Sequence, residues 1–139
     1  MTISIKSGKA KGRKFQQYIA EKVSQLLDIP WGKDELISSR AGGQSGTDLV
    51  LLGKAAKLFR FSVECKSTEK WDVHGAIKQA KANRKKGTDW LLFMKRSRES
   101  PVVIMDVDTF FSMQKDLLSL RNEENYLRKE ISDLLNKME

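Results

Sequence analysis

Glu64 and Lys66 stand two residues apart in a stretch where Phe59, Phe61, Val63 and Cys65 alternate with Arg60, Ser62, Glu64 and Lys66. Successive side chains of a strand leave on opposite faces, so the alternation predicts a strand with one apolar face for the core and one polar face carrying Glu64 and Lys66 together. The segment before it, Thr47 to Leu52, reads as a second, mostly apolar strand with one acid, Asp48. Lys54 to Lys57 is expected to turn a hairpin between the two, which would lay Asp48 beside Glu64. Two carboxylates and an ammonium then converge. Such a cluster suits phosphodiester hydrolysis: the acids hold a hard divalent cation through oxygen, the lysine orients or deprotonates the attacking water, and the cation neutralises charge growing on the phosphate. A bare Glu-x-Lys recurs by chance on solvated strand faces. Here it is accompanied by a Gly46-Thr47-Asp48 entry to the preceding strand, an apolar opposite face and a basic helix after it.

The surrounding pattern supplies elements to position these groups. After a short basic, glycine-containing lead, Lys6 to Gly12, the spacing of Phe15, Ile19, Val23 and Leu26 predicts an amphipathic helix ending near Asp28, before Pro30. Leu36 to Arg40 reads as a short strand, and Ala41 to Gly46 as a flexible loop. Asp72 suits a helix N-cap, with Ala76, Ile77 and Ala80 forming a narrow packing stripe on a helix to about Lys86. Trp90 to Met94 and Val102 to Met105 read as two further strands around the basic turn Lys95-Arg96-Ser97-Arg98, and Asp108 is placed to cap a last helix. Within it Leu117, Leu120, Leu127, Ile131, Leu134 and Met138 keep a 3.5-residue rhythm, interrupted at Glu124. Two readings fit that rhythm: a short coiled coil, or an amphipathic helix lying on its own domain.

A chain of 139 residues suits one domain with one core. The formal charge of +8 suits a polyanionic partner. It is unevenly spread: residues 1–100 hold 21 Lys and Arg against 10 Asp and Glu, whereas residues 101–139 hold 5 against 8, which points to separate tasks. One Cys and one His exclude an intrachain disulfide and a Cys/His zinc site. No apolar run has signal-peptide or membrane length, so a soluble cytoplasmic protein is expected, without membrane attachment or a small-molecule cofactor.

Three segments carry a resemblance: Lys11-Gly12-Arg13-Lys14-Phe15-Gln16, the run Ser39-Arg40-Ala41-Gly42-Gly43-Gln44-Ser45-Gly46-Thr47-Asp48, and Ser62-Val63-Glu64-Cys65-Lys66. Together they resemble the restriction-enzyme-like PD-(D/E)XK nucleases, and among these the phage and archaeal Holliday-junction resolvases. The resemblance implies an α/β fold with an αβββαβ core, a mixed central sheet flanked by helices, over residues 1–111, leaving 112–139 as a helical extension and possible dimerisation element. It further implies a DNA endonuclease using Mg²⁺, for which Mn²⁺ substitutes, acting on branched or four-way-junction DNA as a homodimer, in a host cytoplasm if the source is a phage. Asp48 and Glu64 would be the metal ligands, with the Cys65 carbonyl as a backbone ligand, and Lys66 the catalytic lysine. Gln16 stands where many of those enzymes carry a Glu. As an amide it could orient a water but adds no charge, which leaves one- or two-metal use open, and Glu21 is turned away by over a third of a circle.

Arg13, Lys14, Arg40, Gln44, Ser45, Gln79, Asn83, Lys85 and Lys86 are the candidate DNA contacts, with Lys78, Lys81 and Arg84 as further phosphate candidates. Gln79 and Asn83, four apart on one helix face, either meet the active site or the DNA or form a stripe facing water. His74 is read as a packing or capping residue before a general base, and Trp31, Trp71 and Trp90 as core before stacking platforms. The other functions kept open are a less selective nickase or restriction-type nuclease, a catalytically silent DNA-binding module of the same fold, and an assembly adaptor working through the last helix.

Overall fold

A computed structural model describes residues 5–42 and 44–139, with side chains from residue 7 onward; Gly43, in the predicted loop, and the side chain of Lys6 lie outside it. The protein is mixed α/β, with a small mixed sheet, helices and a C-terminal helix. The chain divides into two units, one up to Met105 and one from Asp106 to Glu139. Among the described residues no helix is long and apolar enough to cross a membrane.

In the first unit, α1 (Ile5–Leu27) is followed by β1 (Ile37–Ser39), β2 (Leu49–Leu51), α2 (Gly53–Leu58), β3 (Phe61–Ser67), α3 (Val73–Asn83), β4 (Asp89–Lys95) and β5 (Val102–Ile104). Lys6 to Gly12, expected as an irregular lead, belongs to α1. Its lysines and Ala10 favour helix enough to offset Gly8 and Gly12, at roughly 1 kcal/mol each. Phe15, Ile19, Ala20 and Val23 are buried. Leu26, expected on the same stripe, is 71% exposed, and Leu27 packs against the core instead. The helix stops as Asp28 takes a left-handed φ of 54°.

The expected hairpin between the strands of Asp48 and Glu64 does not form. Gly53–Leu58 is a short helix that buries Ala55, consistent with its Ala, Lys and Leu content. Gly53 itself opens it at φ 54°, a conformation few other residues adopt. β2 pairs antiparallel with β1, while β3, β4 and β5 make a separate sheet in that order, so the expected single central sheet is two ladders. β3 runs parallel to β4 with Glu64 opposite Leu92, and β4 runs antiparallel to β5.

A parallel pair needs a crossover, and α3 supplies it. The two faces of β3 therefore both lie under helices. Val63 and Cys65 join Phe15, Ile19 and Val23 of α1 in one apolar cluster, whereas Ala76 and Ala80 of α3 pack with Trp90, Leu92 and Met94. The polar face of β3 is covered: Ser62 and Glu64 are buried. α3 is capped by Asp72, whose side chain accepts from the Gly75 N–H, and it ends at Asn83, three residues short of the expected Lys86.

The second unit is one helix, α4 (Val107–Lys137). Its N-cap is Asp106 rather than the expected Asp108, which sits in the first turn, where a carboxylate favours the helix dipole.

Candidate active site

β3 is the edge strand of its sheet, and Asp48 lies along its open edge. The Asp48 N–H donates to the Val63 carbonyl at 2.9 Å, and the Asp48 Oδ2 accepts the Cys65 N–H at 2.7 Å. The carboxylate thus takes the place a neighbouring strand's carbonyl would fill, which fixes it beside the strand without a hairpin. Two further contacts hold the loop that delivers Asp48. The Arg40 N–H donates to the Asp48 carbonyl, and the Arg40 Nε donates to the Thr47 carbonyl. The guanidinium passes so close to Gly46, at φ 111°, that a Cβ there would lie 3.0 Å from it. Only glycine fits that turn without displacing Arg40.

Glu64 is 2% exposed, and its Oε1 accepts from the Asn83 Nδ2 at 2.9 Å. The Asp48 and Glu64 carboxyls lie near enough for each to act on the other's charge. Burial pushes Glu64 up to about 7, and the Asp48 charge adds to it, while Asn83 and Lys66 act against it. Burial also raises Asp48, against the pull of the Cys65 N–H, of Lys66 and of Arg40. Two acids are therefore held together in a place that resists their negative charge. The ion pairs of the described residues lie elsewhere, at Lys11–Glu69 and Glu124–Arg128.

Lys66 follows on the same face as Glu64 and lines an open cavity of about 310 Å³ with Lys70, Asp72, Gln79 and Met94. The structure thus brings together Asp48, Glu64, Lys66, Asn83, Gln79 and Arg40. The Gln79–Asn83 stripe faces the acids and the lysine rather than bulk water alone. Gln16 is half-buried on α1, the helix that packs on the Val63 and Cys65 face of β3. Arg13, Lys14, Gln44, Ser45, Lys78, Lys81, Arg84, Lys85 and Lys86 are exposed, as are Glu21 and His74. Trp90 is buried in the core; Trp31 packs half-buried against it; Trp71 donates to the Lys95 carbonyl beneath Arg96.

Three functional-looking features escaped the sequence reading. Ser62 accepts the Lys85 N–H at 2.9 Å and bonds the Thr88 hydroxyl, pinning the chain after α3 to the strand that carries Glu64. Its position two residues before Glu64 was the available signal. Thr47 is buried, and its hydroxyl donates to the Leu49 carbonyl. Finally, Lys11, Lys14, Lys95 and Arg98 surround a cavity of about 470 Å³ with Ser67 and Tyr18. It opens at the carboxyl ends of the parallel strands β3 and β4, the end at which α/β sheets commonly take ligands.

The donor set suits a hard cation. Asp48 and Glu64 offer oxygens whose mutual repulsion a cation would relieve, and the Cys65 carbonyl leaves β3 on the same side as its N–H, toward Asp48. The rest of an octahedral shell would be water and phosphate. Among the described residues there is no cluster of three or more His, Cys, Asp or Glu side chains that could hold a metal. The Cys65 thiol is buried and pushed well up, chiefly by that burial, so it is no nucleophile. No protein-family model, no curated protein and no solved structure matches this chain.

Proposed function

We propose that the first unit is a PD-(D/E)XK endonuclease, with a restriction-endonuclease-like core, that hydrolyses DNA phosphodiesters with Mg²⁺, and that its substrate is branched DNA such as a four-way junction. The observation that carries the reading is the approach of the half-buried Asp48 carboxyl, held on the Cys65 N–H at the edge of β3, to the buried Glu64, which shares its strand face with Lys66.

Asp48 and Glu64 would hold the cation, with the Cys65 carbonyl. When bound, it supplies the positive charge that offsets the phosphate's in the transition state. Asn83 keeps the Glu64 carboxyl in one orientation, as partners of metal ligands commonly do. Arg40 fixes the loop of Asp48. Lys66, opening into the adjoining cavity, orients the attacking water and offsets charge on the phosphate. The basic cavity at Lys11, Lys14, Lys95 and Arg98 adds phosphate affinity next to this centre without reading sequence. Resolution of a junction requires two paired cuts, so the reading includes a homodimer.

The test incubates purified protein with a labelled four-way junction and a matched duplex, with and without Mg²⁺ or Mn²⁺. Paired cuts in the junction, dependent on the metal, are expected. Nicks in both substrates would replace the resolvase by a less selective nickase; binding without cleavage would leave a silent DNA-binding module.

A further inference from the structure

α4 is a 31-residue helix, about 46 Å long, that carries Leu120, Leu127, Ile131 and Leu134 each about half or more exposed. Apolar rows of this kind are found covered, and helices draw most of their stability from the packing of such a row. The core positions follow a strict three-four spacing: Leu117, Leu120, Glu124, Leu127, Ile131, Leu134 and Met138. In heptad terms these are a and d positions, with Leu at every d, which favours two-stranded parallel coils.

The flanking charges decide what covers the row. The g positions are Asp116, Glu123, Glu130 and Lys137, and the e positions are Arg121, Arg128 and Leu135. In a parallel, in-register pair each g residue meets the e residue five places on in the other helix. Asp116 then faces Arg121 and Glu123 faces Arg128, twice each by symmetry. In an antiparallel pair of the same core g meets g and e meets e, which would set Glu123 on Glu130 and Arg128 on Arg128 and leave Asp116 on Lys137 as the one attractive contact. From this charge register we propose that α4 binds a second copy of itself as a parallel, in-register two-stranded coiled coil. Glu124 occupies an a position on the seam and would face its own copy there, a like-charge contact that Arg128 of the same helix offsets by pairing with it at 2.6 Å. A single polar group at such a site fixes register and helix number at a cost in stability. Both first units leave the coil from the same end, since each is joined to the N-terminus of its α4.

The inference does not depend on nuclease activity, because its readout is mass without DNA. Sedimentation of the full chain at micromolar concentration should give twice the 15.9 kDa chain mass, and Leu120→Glu with Leu127→Glu should halve it. Asp116→Arg with Glu123→Arg should weaken the dimer by at least about tenfold, from four lost pairs. Adding Arg121→Glu and Arg128→Glu to that chain should restore it. Antiparallel pairing predicts no net weakening from the first pair of changes, because Glu123→Arg would gain Glu130 as a partner while Asp116→Arg would lose Lys137. Met138→Cys should form an interchain disulfide across a parallel seam, whereas antiparallel helices would hold the two cysteines tens of ångströms apart. A monomeric full chain, or a dimer indifferent to the charge reversals, overturns the proposal.

Discussion

The two faces of β3 divide the labour of the first unit between them. On one, Val63 and Cys65 sit in an apolar cluster with Phe15, Ile19 and Val23 of α1, and nothing there carries a charge. On the other, Ser62, Glu64 and Lys66 run beneath α3, where a carboxyl is buried and stabilised by one amide hydrogen bond. The first face lowers the energy of the fold, while the second raises it, because desolvating two acids together costs free energy that the apolar face must offset. A strand serves both ends because its side chains alternate at a period of two. Burial of the acidic face, not its mere polarity, is what separates it from a solvated strand surface.

Four changes sharpen this contrast. Phe15→Ala empties the apolar side and should destabilise the fold by about 3–5 kcal/mol in denaturant unfolding, without altering cleavage per folded molecule. Glu64→Gln should do the reverse. The Glu64 carboxyl is protonated in folded and unfolded chains alike below pH 4.5, but between 4.5 and about 7 the folded chain keeps a proton that the unfolded chain releases. Stability of the metal-free protein therefore falls as pH rises through that window, by at most about 3 kcal/mol. Melting temperatures from pH 5 to 8 should show this fall for the wild type and a flatter profile for Glu64→Gln. A wild-type profile no steeper than the variant's would place Glu64 outside a desolvated site. Asn83→Ala removes the donor to Glu64 and should slow cleavage about 10–100-fold, with its pH dependence moved upward. The smallest effect is expected at Gly75, where a Cβ would meet the Asp72 carboxylate: Gly75→Ala should cost about 1 kcal/mol through the lost cap, measured as a lowered denaturation midpoint.

The alternation from Phe59 to Lys66, the helix stripe at Phe15, Ile19 and Val23, and the Asp72 cap were all legible in sequence, because local periodicity and capping chemistry dictate them. What was hidden depends on contacts distant in sequence. A parallel pairing of β3 with β4 cannot be read from either strand alone, yet it is what brings α3 over Glu64 and buries the polar face. For the same reason the route by which Asp48 reaches Glu64 was misread. A hairpin was the simplest local guess, whereas the Cys65 N–H and the Arg40 clasp achieve the approach with β2 paired elsewhere. The basic cavity likewise joins α1 to the turn after β4, more than eighty residues apart, through Lys11 and Ser97.

The central claim is that the paired acids and Lys66 perform metal-dependent cleavage while other groups hold the DNA. Asp48→Asn, Glu64→Gln and Lys66→Met, purified alongside the wild type, should each lower the cleavage rate of a labelled junction in Mg²⁺ by at least about a thousandfold, some 4 kcal/mol of barrier. Their junction affinity should stay within a few-fold of wild type. Its salt dependence should also be retained in these variants, and should flatten when Lys85 and Lys86 are replaced together. Cleavage by Glu64→Gln at the wild-type rate would contradict the account.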